Sequence, residues 1–284
     1  MDTVAIFGVG LIGGSFALAL RKAGFQGKIL GVSSDETVRA ALSLGVIDQA
    51  LPARDAAQQA DLLYLAQPIF RIIDCLADLN EWTKPEALIT DAGSTKQSIV
   101  DRAAQVLTRP QFLGGHPLAG RERRGVEAAE ADLFQGRPYV VTPRSPADLE
   151  TPAARDFLAW IPRIGSFPVV MNPQEHDRTV AFTSHLPQLA ATALAAMLNG
   201  RAEPQSGVYG PALVDSTRLA LSSFDIWSDI FDTNRHQIFV ALDCYLAKLE
   251  ALRAVFENPV VDREALRRHF DAAAQLAGQV RAGT

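Results

Sequence analysis

The sequence is short of the features that mark several protein classes. Its 284 residues include 2 cysteines, Cys75 and Cys244, far apart and outside any metal-ligand spacing. A disulfide framework and a cysteine-held metal are therefore not expected, and two structural thiols suit a reducing compartment, the cytoplasm. Neither sign of charge predominates: 27 Lys and Arg against 32 Asp and Glu leave a net charge of −5. Without a basic face to follow phosphates, nucleic acid is not an expected partner, and anionic ligands must be caught by local arginines. No basic leader precedes the apolar stretch that begins at Val4, and glycines interrupt that stretch, so neither a signal peptide nor a membrane span is expected. What is present is 48% apolar and 21% charged residues, in a chain long enough for two domains, each with its own core.

Up to about residue 172, short β-branched runs alternate with amphipathic stretches, the pattern of a parallel sheet with crossover helices. Strands are expected at 4–7, 28–32, 62–66, 87–90, 112–115, 139–142 and 167–171, with helices at 13–23, 35–44 and 69–79. After Asn172-Pro173 strand-like runs largely vanish. The remainder reads as long Ala- and Leu-rich helices, about 174–199, 208–224, 226–256 and 262–281. The expected fold is thus an α/β dinucleotide-binding domain of Rossmann type over 1–172 and an all-α domain over 173–284. Helix 181–198 is apolar nearly all round, as expected of an intertwined dimer or of a helix buried within one subunit.

Val4-Ala5-Ile6-Phe7 runs into Gly8-Val9-Gly10-Leu11-Ile12-Gly13 and then a helical pattern. Gly8 suits a tight turn, Gly10 a close approach to pyrophosphate and Gly13 close helix–strand packing, with Leu11 and Ile12 as further cofactor contacts ahead of the helix whose N-terminus faces the phosphates. A glycine-rich turn without a ligand is the plainer alternative. Where an NAD enzyme usually carries an acid against the ribose 2′-hydroxyl, this chain has Ser33, Ser34 and then Asp35. The serines favour NADP, and Asp35 keeps NAD open.

Ligands of such sheets bind beyond the carboxyl ends of the strands. Two segments fall there: Asp91-Ala92-Gly93-Ser94-Thr95-Lys96 and Gly114-Gly115-His116-Pro117-Leu118-Ala119-Gly120. Ser94 reads equally as a helix N-cap. His116, flanked by glycines and held extended by the proline after it, is a candidate base able to take the proton of an alcohol as its carbon gives up hydride.

These segments, with the glycine-rich opening, Ser184-His185-Leu186-Pro187, and Thr217-Arg218 followed by Ile226-Trp227-Ser228-Asp229-Ile230, resemble the prephenate/arogenate dehydrogenase family of tyrosine biosynthesis over nearly the whole chain. The resemblance implies an N-terminal Rossmann-type domain, a helical C-terminal dimerisation domain and an active site in the cleft between them. It implies oxidative decarboxylation of a cyclohexadiene, with His116 receiving the hydroxyl proton, Ser94 hydrogen-bonding beside it and Arg218 holding a substrate carboxylate. Ser184 and Gln188 would line the pocket near the pyruvyl or alanyl side chain. Trp227 would belong to the site or to the dimer edge, with core packing as the alternative. Glu122 matches a position that pairs with an arginine across the cleft, though a solvated charged loop fits it as well. Arginine's planar fork suits a carboxylate independently of any resemblance, and a surface helix position is the plain alternative for Arg218. Many members carry a second histidine where this chain has Gln188. Gln188 supplies neither the positive charge of a histidinium nor a negative charge for the ammonium of arogenate, which favours prephenate. No separate feedback-binding module is expected after about residue 282.

Of the remaining histidines, His185 reads as structural, His176 as a cap or hinge near the linker, and His236 and His269 as exposed. Two other readings compete. One is another two-domain hydroxyacid or imine oxidoreductase; such enzymes rely on a lysine in the helical domain, where Lys248 is the only lysine after residue 172. The other is a dinucleotide-sensing protein without turnover, which leaves His116, Ser94 and Arg218 with no reason to coexist.

Overall fold

A computed structural model describes residues 1–108, 111–121, 123–201, 207–257 and 259–282. Strands β1 (Thr3–Phe7), β2 (Lys28–Val32), β3 (Gln49–Ala50), β4 (Leu62–Leu65), β5 (Leu88–Asp91), β6 (Gln111–Pro117), β7 (Pro138–Thr142) and β8 (Phe167–Val170) form one sheet in the order β3-β2-β1-β4-β5-β6-β7-β8. Its pairings are parallel except at β6–β7. Helices α1 (Leu11–Lys22), α2 (Asp35–Ser43), α3 (Ala53–Gln59), α4 (Ile69–Trp82), α5 (Gln97–Val106) and α6 (Pro152–Arg163) cover both faces. Successive side chains of a strand point to opposite faces, so Val4 and Ile6 of β1 join one core with Phe16, Tyr64 and Trp160, while Ala5 and Phe7 join another with Leu30, Leu65 and Leu76. A strand buried on both sides reads as a continuous apolar run, which is why β1 and β4 stood out. Strand β3 and helix α3 did not: the first is a Gln-Ala pair, and the second, ARDAAQQ, has little apolar periodicity.

From residue 173 onward the described elements are helices: α7 (Pro173–Val180), α8 (Leu186–Leu198), α9 (Pro211–Thr217), α10 (Phe224–Thr233), α11 (Arg235–Glu257) and α12 (Arg263–Ala282). The expected single helix at 174–199 is interrupted. A π-helical stretch, Ala181–His185, widens it between α7 and α8. Pro187 has no N–H to give the Thr183 carbonyl, and the widened turn accommodates that loss. The expected helix 226–256 is likewise broken at Asn234, whose φ of −122° ends α10. Its side-chain Nδ2 donates to the Asp177 carbonyl at 2.8 Å and lies 3.3 Å from His185 Nδ1.

Ala181, Ile230, Ile238 and Ala241 from this region pack into the core made by Phe7, Ile99 and the other residues on that face of the sheet, with Trp227 and Phe231 against it. The remaining helical surface carries Phe224, Phe239, Leu246, Leu249 and Phe256, all exposed. Among the described residues no helix is long and apolar enough to cross a membrane.

Candidate active site

The loop after β1 has the geometry that a dinucleotide requires. Gly8 has φ +93°, and a Cβ on Gly13 would lie 2.1 Å from the Gly8 carbonyl oxygen, so turn and helix meet only because both are glycines. Gly10 differs: a Cβ there would meet nothing within 4 Å. No side chain caps α1 at Gly10, and the first-turn amides, beginning with those of Leu11 and Ile12, face outward with the positive end of the helix. This open cradle beside uncapped amides fits a pyrophosphate. Ser34 caps α2, accepting from the Thr37 N–H at 3.4 Å, while Ser33 stands exposed beyond β2.

The register of β6 sets His116. Thr90 pairs with Leu113 at the last ladder step with β5, and from Gly114 to Pro117 the strand is paired antiparallel with β7. His116 thus lies within the strand, not after it, and stands past the carboxyl end of β5. Gly115 permits this: a Cβ on it would sit 2.6 Å from the Asp91 carbonyl oxygen. Beneath, the buried Asp91 carboxylate accepts the Gly93 and Gly115 N–H groups at 2.9 and 3.1 Å and pairs with the buried Lys96 ammonium. Lys96 also donates to the Gly115 carbonyl at 2.8 Å. Burial pulls the Lys96 pKa down, and the Asp91 carboxylate opposes that pull.

Ser94 does not cap α5. Asp177 of α7 does, accepting the Lys96 and Gln97 N–H groups at 2.7 and 3.0 Å. The residue before it, His176, is fully buried and reaches His116, with 2.8 Å between His116 Nδ1 and His176 Nε2. His176 Nδ1 in turn lies 2.8 Å from Asp177 Oδ1. Reading His176 as a cap or hinge missed this contact, because the partners are 60 positions apart. A Glu-His-Asp segment opening a helix was the available signal, but it names no partner.

Burial pushes the His116 imidazole well below the usual histidine range, and His176, Lys96 and His185 push it the same way. Burial lowers His176 too, against the Asp177 carboxylate that favours its charge. His185 is pushed down to about 4, chiefly by burial. Neutral imidazoles are therefore the resident forms near pH 7.

Trp227 is half-buried, its ring 5.9 Å from that of His185 and nearly perpendicular to it. Gln188 is buried and donates through Nε2 to the Leu219 carbonyl at 2.9 Å and to Thr192 Oγ1 at 3.2 Å. That contact joins α8 to the short 3-10 turn Arg218–Leu221, and Gln188 Oε1 is left without a partner among the described residues. Ser184 lies exposed on the π-helical stretch and Arg218 exposed at the start of its turn. Glu122 falls outside the described residues. A polar cleft of about 490 Å³, lined by Arg121, Arg137, Gln135 and their neighbours, adjoins the end of β6. A second cavity, about 410 Å³ between Met1, Lys84 and Asp156, opens at the amino ends of β4 and β5, away from these groups. Among the described residues no cluster of three His, Cys, Asp or Glu side chains could hold a metal ion.

Comparison with known proteins identifies the family. Residues 16–159 match the nucleotide-binding domain model of prephenate dehydrogenase, and residues 172–272 match its dimerization domain model. The chain is 36% identical to the prephenate dehydrogenase of Bacillus subtilis, covering 96% of this chain and 74% of that one. It is 33% identical to the cyclohexadienyl dehydrogenase of Zymomonas mobilis, over 94% and 92%. A solved structure of prephenate dehydrogenase from Aquifex aeolicus, in complex with hydroxyphenyl propionate and NAD+, superimposes with a TM-score of 0.85 at 29% identity, covering 99% and 98%. With both halves matched in order, this chain belongs to the prephenate/arogenate dehydrogenase family.

Proposed function

We propose that the chain catalyses the NAD(P)-dependent oxidative decarboxylation of prephenate, or of its amino counterpart arogenate, in tyrosine biosynthesis in the cytoplasm. The observation that carries this reading is the neutral His116 imidazole, standing beyond the carboxyl end of β5 on the edge where the glycine loop also opens. A nicotinamide bound there supplies the acceptor for the ring hydride. His116 takes the proton of the ring hydroxyl as that hydride leaves. The bond to the ring carboxylate then breaks, carbon dioxide departs, its electron pair aromatises the ring, and His116 returns the proton to the phenolic oxygen. Ser94 steadies the hydroxyl, and Arg218 grips a carboxylate with its planar fork.

Ser184, Gln188, Trp227 and Glu122 shape the pocket in this reading. The cofactor is held by Gly8, Gly10, Leu11, Ile12 and Gly13, with Ser33 and Ser34 toward the 2′ position and favouring NADP. Gln188 bears on the substrate. Its nitrogen is engaged by a backbone carbonyl, so the oxygen is the amide's unused group. An acceptor suits the ammonium of arogenate, which offsets the preference for prephenate that the sequence suggested. We divide the chain at residue 172 and pair two copies through the helical half.

Absorbance of reduced nicotinamide, followed with each substrate and each cofactor, tests the reading. His116→Asn should bind cofactor as the unaltered protein does and lose turnover by about 10²- to 10⁴-fold. Unaltered turnover in that variant would remove the proposed base.

A further inference from the structure

We propose that His176 is a positioning residue that fixes which nitrogen of His116 is the base, forming with Asp177 a relay anchored in the helical half of the chain. The inference rests on the reading of His116 given above. It starts from acceptor chemistry. The Asp177 carboxylate already accepts two backbone N–H groups of α5, with Oδ1 on Lys96 and Oδ2 on Gln97, and Oδ1 also meets His176 Nδ1. Toward that carboxylate His176 Nδ1 is the donor. A neutral imidazole with a proton on Nδ1 has only a lone pair on Nε2. Since His176 Nε2 lies 2.8 Å from His116 Nδ1, the proton of that contact belongs to His116. His116 Nε2, on the far side of its ring, is then left bare, ready to accept the substrate's hydroxyl proton.

Reversing either tautomer places two protons or two lone pairs face to face in a partly buried contact, which costs more than the small intrinsic preference between imidazole tautomers. When His116 becomes an imidazolium, its Nδ1 proton still has the His176 lone pair to bond, and the Asp177 carboxylate lies behind. The relay thus stabilises the charged base during the interval before the proton returns to the product oxygen. No proton is consumed. Because the same carboxylate caps α5, which follows the Ser94 loop, the position of the base and the seating of that loop depend on one side chain.

Two measurements on the full-length protein decide the matter. In protein labelled with 15N at histidine, His116 should show a protonated Nδ1 and a bare Nε2, its signals assigned by their loss in His116→Asn. A protonated Nε2 on His116 would overturn the proposal, and this spectrum needs no altered residue at 176. In kinetics, His176→Ala should lower kcat about 100-fold while KM and dinucleotide affinity change less than threefold. His176→Gln, whose amide oxygen can accept from His116 Nδ1, should recover at least tenfold of that loss. Full activity in His176→Ala, with His116→Asn inactive, sinks the relay and leaves the base in place; full activity in His116→Asn sinks both.

Discussion

Glycines at three neighbouring positions serve different ends here, and substitution separates them. Gly13 has no room for a Cβ, since the Gly8 carbonyl lies 2.1 Å from where it would sit, whereas Gly10 faces open space. Gly13→Val should therefore fail to fold or melt far below the parent. Gly10→Val should melt within a few degrees of the parent yet lose dinucleotide binding by about tenfold or more, because its side chain fills the place of the pyrophosphate. Thermal denaturation beside a cofactor titration checks both. A Gly10→Val protein with unchanged affinity would mean that the phosphates lie elsewhere. The close packing at Gly13 was legible from spacing alone. The role of His176 was not, since nothing in Glu175-His176-Asp177 says that residue 116 will be its neighbour.

At the scale of elements, β6, α7 and the π-helical stretch meet in a junction of histidines, the half-buried His116 with the buried His176 and His185. All 3 have pKa values below the ordinary 6.5, with His185 near 4. Above about pH 6.5 they are neutral in both the folded and the unfolded chain. As pH falls below that value, the unfolded chain binds protons that the folded chain refuses; for His185 stability falls by up to about 1.4 kcal/mol per pH unit until pH nears 4, and His116 and His176 add to the loss in the same direction. Denaturant midpoints at pH 7.5, 6 and 5 should therefore decline steadily with acidity. Equal midpoints at pH 7.5 and 5 would show that the junction is open enough to charge without cost. The Asp61 carboxylate accepts the Asp2 and Thr3 N–H groups and pairs with Lys84, which lower its pKa against the opposing effect of burial, and its contribution is lost only below the ordinary 3.8, so the two windows stay apart. The junction was half legible. The helical character of 174–199 was read from its composition but its π-helical break was not, and Ser94, a good N-cap by type, leaves that task to Asp177, because a carboxylate from another element reached the α5 amides.

For the whole molecule, the helical half is incompletely covered. Phe239, Leu246 and Phe256 recur along one long helix, α11, and are 62%, 48% and 62% exposed. Such a stripe is larger than isolated surface apolar residues account for, and it lies within the segment that matches a dimerization-domain model, so the pairing of two copies proposed above would cover it. Phe239→Glu combined with Leu246→Glu should convert a dimer into a monomer in sedimentation velocity and reduce activity at low concentration. A parent protein that sediments as a monomer at micromolar concentration would contradict this.

By itself the sequence determined the strand–glycine–helix opening, the change from alternating strands to helices near residue 172, and the chemistry available at His116 and Arg218. Those are local matters of periodicity, backbone sterics and side-chain type. Only the tertiary structure decided that residue 176 meets residue 116, that Asp177 caps a helix about 80 positions earlier, and that Gln188 turns its nitrogen to Leu219. Such pairings follow from how the sheet and the helical half pack. A buried donor takes whichever acceptor that packing brings within about 3 Å.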